Sequence, residues 1–97
     1  MKKISIIIPA YNEAKTLAAL LQKVKDVPLP LEKEILVVDN NSTDQTAAIA
    51  RQTEGVILLR ENKPGKGAAV KRGFRAATGD ILLVQDADLE YDPRDYS

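Results

Sequence analysis

The sequence predicts an α/β fold: a parallel sheet in βαβαβαβ order. Three observations carry this: four short runs of β-branched and aliphatic residues, helical periodicity between them, and a polar cluster just after each run. The first strand covers residues 4–8 and ends at Pro9. Leu17, Leu20, Leu21 and Val24 then recur at the i, i+3, i+4, i+7 spacing of one helix face, with Asn12 as the expected cap. Pro28, Leu29 and Pro30 mark a surface turn before the second strand, residues 34–38. Ser42 and Gln45 have the spacing of a capping box and open a second helix with Thr46, Ile49, Ala50 and Thr53 inward, which Gly55 stops. After the third strand, residues 56–59, a third helix starts at Gly67. It turns Val70, Gly73, Phe74 and Ala77 inward, with Gly79 as its stop. Residues 81–85 form the fourth strand, expected to be buried, and residues 91–97 resemble the start of a further helix with Pro93 near its first turn.

Composition narrows the classes. At 97 residues, 44% hydrophobic and 29% charged, the chain makes one globular domain over residues 1–97 and has no room for a second. Fourteen basic and fourteen acidic residues cancel, so no global charge draws it to nucleic acid or an anionic membrane, and no nucleic-acid partner is expected. Cysteine and histidine are absent, which excludes disulfides, thiolate or imidazole metal sites and histidine-based triads. Any metal bound by this chain is therefore oxygen-bound. The apolar run at residues 4–8 is too short for a signal-peptide core or a membrane span, so a cytoplasmic location is expected. The sequence shows no repeat, low-complexity tract or linker.

The chemistry concentrates after the strands. Asp86-Ala87-Asp88 follows the apolar residues 81–84, and an extended backbone turns positions 86 and 88 the same way. Two carboxylates so placed can share one divalent cation with a diphosphate; the same pair could instead start a turn or cap a helix. Tyr11, Asn12 and Glu13 follow strand one, Asp39, Asn40 and Asn41 follow strand two, and residues 62–67 follow strand three. In an open parallel sheet all these clusters share the carboxyl-end rim, where ligands bind. Each has a plainer reading too: Pro9 ending a strand, Tyr11 packing, Asn12 and Glu13 capping, Asp39 starting a turn. Residues 41–45 fit a helix start better than a ligand site. Gly65-x-Gly67 lacks a third glycine and does not follow strand one, so no nicotinamide site is implied, and Lys71, Arg72 and Arg75 read as a solvated helix face.

Four segments carry a family resemblance: residues 6–13 (IIIPAYNE), 37–44 (VVDNNSTD), 65–69 (GKGAA) and 85–90 (QDADLE). Together they resemble the amino-terminal half of a family 2 glycosyltransferase, nearest in flavour to the dolichyl-phosphate mannose synthase and polyprenyl-phosphate glycosyltransferase branch. The resemblance implies a Rossmann-like GT-A fold, cut after the Asp-x-Asp motif, that binds a GDP- or UDP-linked sugar. It implies Mg²⁺ or Mn²⁺ at Asp86 and Asp88, which would then be the catalytic pair. Pro9, Tyr11 and Glu13 would line the nucleotide pocket, Asp39 would accept from base or ribose, Lys66 and Gly67 would approach the phosphates, and Asp86 with Ala87 would complete the nucleotide contacts. The implied acceptor is a polyprenyl or dolichyl phosphate, and the implied setting the cytoplasmic membrane face. The chain departs from many relatives at Asp39-Asn40, where a pair of aspartates is common. Two alternatives stand beside transfer. One is a module that binds nucleotide without transferring sugar and forms a homodimer to cover an exposed sheet edge. The other is a phosphoacceptor domain, disfavoured because Pro9-Ala10-Tyr11 offers no acid after strand one.

Overall fold

Runs such as Ile6-Ile7-Ile8 are apolar at every position, the pattern of a strand buried on both faces, and they form the middle of the sheet. The computed structural model describes residues 2–87. Strands β1 (Lys3–Ala10), β2 (Glu32–Asp39), β3 (Val56–Arg60) and β4 (Ile81–Val84) alternate with helices α1 (Ala14–Asp26), α2 (Thr46–Gln52) and α3 (Lys66–Ala76). The strands are parallel in the order β3-β2-β1-β4, so the predicted class and element order hold. Segment 91–97, with its expected helix start, lies outside the described residues, as does Asp88.

Side-chain alternation divides the core between the two faces of the sheet. Ile4, Ile6 and Ile8 pack with Leu17, Leu20 and Leu21 of α1, Ala50 of α2, and Ile35 and Val37 of β2. Ile7 faces the other way, with Leu36, Val38 and Ala69 of α3. Gly73 is what lets α3 settle there, since a Cβ at this position would stand 2.5 Å from Ile7 Cγ2. Phe74, expected inward, is 43% exposed; Ala69 and Gly73 are the buried residues of α3. β4 departs further from expectation. It is an edge strand whose Ile81, Leu82, Leu83 and Val84 are all exposed, because it pairs with β1 and no described element covers its faces.

Four expected helix boundaries are corrected. Asn12 does not cap α1: it adopts φ 50° and its Oδ1 accepts the Thr43 N–H at 2.8 Å, while Glu13 holds the cap position without a side-chain cap bond. Ser42 does not open a capping box, because α2 begins only at Thr46 and the Ser42 hydroxyl accepts the Asn12 N–H at 2.9 Å. Gly79 does not end α3, which stops at Ala76 with Ala77 extended. It is needed because a Cβ there would lie 2.5 Å from Ser5 Oγ and 2.7 Å from Ser5 N. Gly55 does not end α2 either: the helix stops at Gln52 with Thr53 extended, and Gly55, at φ 83°, takes the left-handed region in the turn that leads into β3.

A polar knot ties the amino ends of the strands, opposite the ligand rim. Ser5, fully buried in β1, donates to Glu34 Oε2 at 2.6 Å and accepts the Gly79 N–H at 2.8 Å. Thr78 donates to the same carboxylate through its N–H at 2.9 Å and its hydroxyl at 3.0 Å, with Lys3 Nζ 3.8 Å away. Burial alone would raise the Glu34 pKa; the Ser5 and Thr78 bonds and the Lys3 charge outweigh it and hold the carboxyl below its ordinary range.

Candidate functional site

The site begins with a mismatch in strand length. β4 pairs with β1 only from Ile4↔Ile81 to Ile7↔Val84, and the Gln85 N–H donates the last link to the Ile7 carbonyl at 2.9 Å. β1 runs on to Ala10, paired on its other side with β2 through Ala10↔Asp39. Backbone polar groups alternate sides along a strand, so the nitrogen of Pro9, two residues past Ile7, faces the side that β4 has left. A proline lacks the N–H that a ladder would need there, and its place costs the sheet nothing. Pro9 therefore does not end the strand; it sits where the pairing parts.

Into that parting opens a cleft of ≈ 250 Å³ lined by Pro9, Ala10, Tyr11 and Glu13 after β1, Asn40 after β2, Lys66 and Ala69 of α3, and Asp86 and Ala87 after β4. It lies between the strands where the order reverses, β1 leading to β2 on one side and flanked by β4 on the other, the place where open α/β sheets take their ligands. Tyr11 is 53% exposed and also borders a second depression with Asn40, Asn41, Pro64, Gly65 and Lys66. The segment after β4 is held down by the Thr16 hydroxyl of α1, which donates to the Ala87 carbonyl at 3.0 Å; Ala87 is buried and Asp86 about half-exposed. Lys66, the first residue of α3, reaches over and pairs its ammonium with Asp86 Oδ1.

Of the residues singled out in the sequence, Pro9, Tyr11, Glu13, Lys66, Asp86 and Ala87 meet at this cleft. Asp39 does not line it. It is 4% exposed and accepts the Ser42 N–H at 3.3 Å, beside a separate hollow lined by Asn41, Ser42, Arg60 and Asn62. Gly67, in the first turn of α3, does not line it either and borders a separate groove with Lys63, Lys71 and Arg75.

The sequence reading missed Asn40. Its amide donates to the Glu61 carbonyl at 2.9 Å and the Lys63 carbonyl at 2.8 Å, and its Oδ1 accepts the Gly65 N–H at 3.0 Å. Asn41 adds a bond to the Asn62 carbonyl at 2.8 Å. Two donors and one acceptor on one side chain shape the loop that presents Lys66, a task the acceptor-only carboxylate of aspartate cannot do. The asparagine-rich stretch after β2 was the available signal.

Among the described residues no three acidic, histidine or cysteine side chains cluster to hold a metal. A Mg²⁺-like ion needs no such cluster, since it binds through one or two carboxylates together with substrate phosphates and water. Asp86 fits that role chemically: its carboxylate lines the cleft and already draws a cation, the Lys66 ammonium. No helix among the described residues is long and apolar enough to cross a membrane.

An open parallel sheet with its cleft at the strand-order reversal defines a Rossmann-like α/β domain. The chain belongs to glycosyl transferase family 2, whose model matches residues 5–97. It is 38% identical over 95 residues to a dolichol-phosphate mannosyltransferase of Pyrococcus furiosus, a match covering 94% of this chain and 27% of that protein. It is 35% identical to an undecaprenyl-phosphate 4-deoxy-4-formamido-L-arabinose transferase of Klebsiella pneumoniae, covering 98% of this chain and 32% of the relative. A solved structure of glucosyl-3-phosphoglycerate synthase from Mycobacterium tuberculosis, in complex with Mn²⁺, UDP and glucosyl-3-phosphoglycerate, superposes with a TM-score of 0.78 at 30% identity, over 90% of this chain and 34% of that one. The chain thus spans about a third or less of the length of these proteins.

Proposed function

We propose that residues 1–97 form the nucleotide-sugar-binding part of a glycosyltransferase that moves a sugar from a nucleoside diphosphate to an acceptor. The observation that carries this reading is the cleft itself, where an exposed aromatic ring, a lysine and an aspartate meet at the strand-order reversal. The Tyr11 ring offers a face to base or ribose, Glu13 an acceptor for a ribose hydroxyl, and Lys66 a point charge for phosphate. Asp39 acts through the loop after β2, whose Ser42 N–H it accepts, and Gly67, in the first turn of α3, has open space where a side chain would stand.

Asp86, with Asp88, would hold Mg²⁺ or Mn²⁺; when bound, such an ion neutralises charge that grows on the departing diphosphate. The reading is supported by the Mn²⁺ and UDP in the mycobacterial complex, which also favours UDP over GDP. In the reaction an acceptor oxygen forms a bond to the anomeric carbon as the bond to the diphosphate breaks, and the electron pair leaves with the diphosphate. The proposed acceptor is a lipid phosphate, which the names of the two relatives support, and the proposed setting is the cytoplasmic face of a membrane. A phosphate oxygen is already ionised near neutral pH, so positioning matters more than a general base.

The test is calorimetric titration with UDP and GDP, each with Mn²⁺ and with excess chelator. Binding of one nucleotide that the chelator abolishes is expected. Asp86→Asn and Asp88→Asn should each weaken it at least about ten-fold while leaving the fold intact, since even outer-shell losses at metal sites reach that size. Nucleotide binding indifferent to chelator would remove the metal from the site, and no binding by the folded chain would overturn the claim that these residues suffice.

A further inference from the structure

Resting on that reading, we infer that Lys66 is a counter-ion that keeps Asp86 occupied until a diphosphate arrives, so that divalent metal and nucleotide bind as a coupled pair. The geometry supplies the parts. Lys66 opens α3 directly after Gly65, which takes φ 112° and ends the loop that Asn40 holds through three hydrogen bonds. The start of the side chain is therefore fixed, and four flexible carbons carry its ammonium across the cleft to Asp86 Oδ1.

Both partners are about half-exposed or more, which makes the pair a weak one and easy to break. Weakness suits the role. Without nucleotide, a divalent ion approaching the cleft must displace an ammonium from its ligand and then sit beside that positive charge. A diphosphate changes both terms, since its oxygens draw the ammonium away and supply further ligands for the ion. Reciprocity follows: whatever factor the nucleotide adds to metal affinity, the metal adds to nucleotide affinity.

The experiment titrates the 97-residue chain with Mn²⁺, followed by the loss of the free-ion electron paramagnetic resonance signal, without nucleotide and with saturating UDP or GDP. Lys66→Met keeps the stem and removes the charge. It should raise Mn²⁺ affinity without nucleotide by about two- to five-fold, the range of an exposed ion pair. It should also lower affinity for UDP without metal and reduce the ratio of Mn²⁺ affinities with and without UDP. Lys66→Arg should restore the weaker Mn²⁺ binding, and Lys71→Met, on the exposed side of α3, should behave as the wild type. Mn²⁺ affinity without nucleotide that is unchanged or lower in Lys66→Met would overturn the inference alone. A wild-type chain that takes up no Mn²⁺ with either UDP or GDP would overturn the donor-site reading, and this inference with it.

Discussion

A single methyl group decides what position 79 tolerates. Its nearest neighbours would be Ser5 Oγ at 2.5 Å, Ser5 N at 2.7 Å and the Lys3 carbonyl at 3.0 Å, and two of these are backbone atoms of the central strand that cannot step aside. Gly79→Ala should therefore destabilise by about 1–3 kcal/mol, the usual cost of overpacking, with the added loss of the bond to Ser5 Oγ if the loop shifts. Gly67 makes the matched control, because a Cβ there meets nothing within 4 Å. Gly67→Ala should leave stability unchanged or raise it by up to about 1 kcal/mol through helix propensity. Urea unfolding of the two variants checks both, and equal midpoints would refute the close-approach account. In the sequence the two glycines look alike: each lies at the end of a helical stretch, and nothing local tells a steric requirement from an ordinary helix position. Asn40 was hidden for the same reason, its partners lying 21 to 25 residues further on.

At the level of elements, the helices were legible and their ends were not. Leucines spaced three and four apart reveal α1 because the pattern is local, and Leu17, Leu20 and Leu21 are buried as expected. What caps α1 comes from the loop before α2 and from the first residue of α2. The N–H groups of Asn12, Glu13 and Ala14 donate to Ser42 Oγ at 2.9 Å, Thr46 Oγ1 at 2.9 Å and Asp44 Oδ2 at 3.2 Å. At the other end, Lys33 Nζ donates to the carbonyls of Val24, Lys25 and Val27 at 3.1, 2.9 and 2.6 Å. Asp44 also accepts from the Thr46 N–H at 2.9 Å and from the Thr46 hydroxyl. The Thr46 hydroxyl lowers its pKa most; desolvation opposes this, and the backbone N–H donors add to the lowering, so the carboxyl stays below the ordinary aspartate range. A depressed carboxyl stabilises the fold when ionised, so this contribution is complete above the unfolded pKa and fades as pH falls through the lower folded one. Glu34 acts in the same direction. Stability should thus decline on acidification below about pH 4. Asp44→Ala should lower the melting temperature at neutral pH and make the acid decline shallower, leaving the part due to Glu34. Thermal melts across pH check this, and an unchanged acid slope in the variant would sink it.

For the molecule as a whole, alternating strand and helix patterns made the parallel sheet readable, because each pattern reports on its own segment. Burial of β4 was not readable that way. Four apolar residues in a row describe a strand that can be covered on both faces, whereas actual burial depends on what lies beside it. Here Ile81, Leu82, Leu83 and Val84 stand 37–46% exposed, and among the described residues only one edge of the strand is paired. An apolar edge with open backbone groups is a template for another strand, and it carries no charged residue, proline or bulge that would discourage pairing. The 97-residue chain should therefore self-associate as its concentration rises, edge to edge along β4, a homodimer being the smallest such species. Leu83→Lys puts a charge into that edge and should return the chain to monomer with the fold retained, because the residue already lies half in solvent. Sedimentation velocity over a hundred-fold range of concentration checks the pair of claims. A wild-type chain that stays monomeric throughout would remove β4 as an associating edge, and association that persists in Leu83→Lys would move the contact elsewhere on the surface.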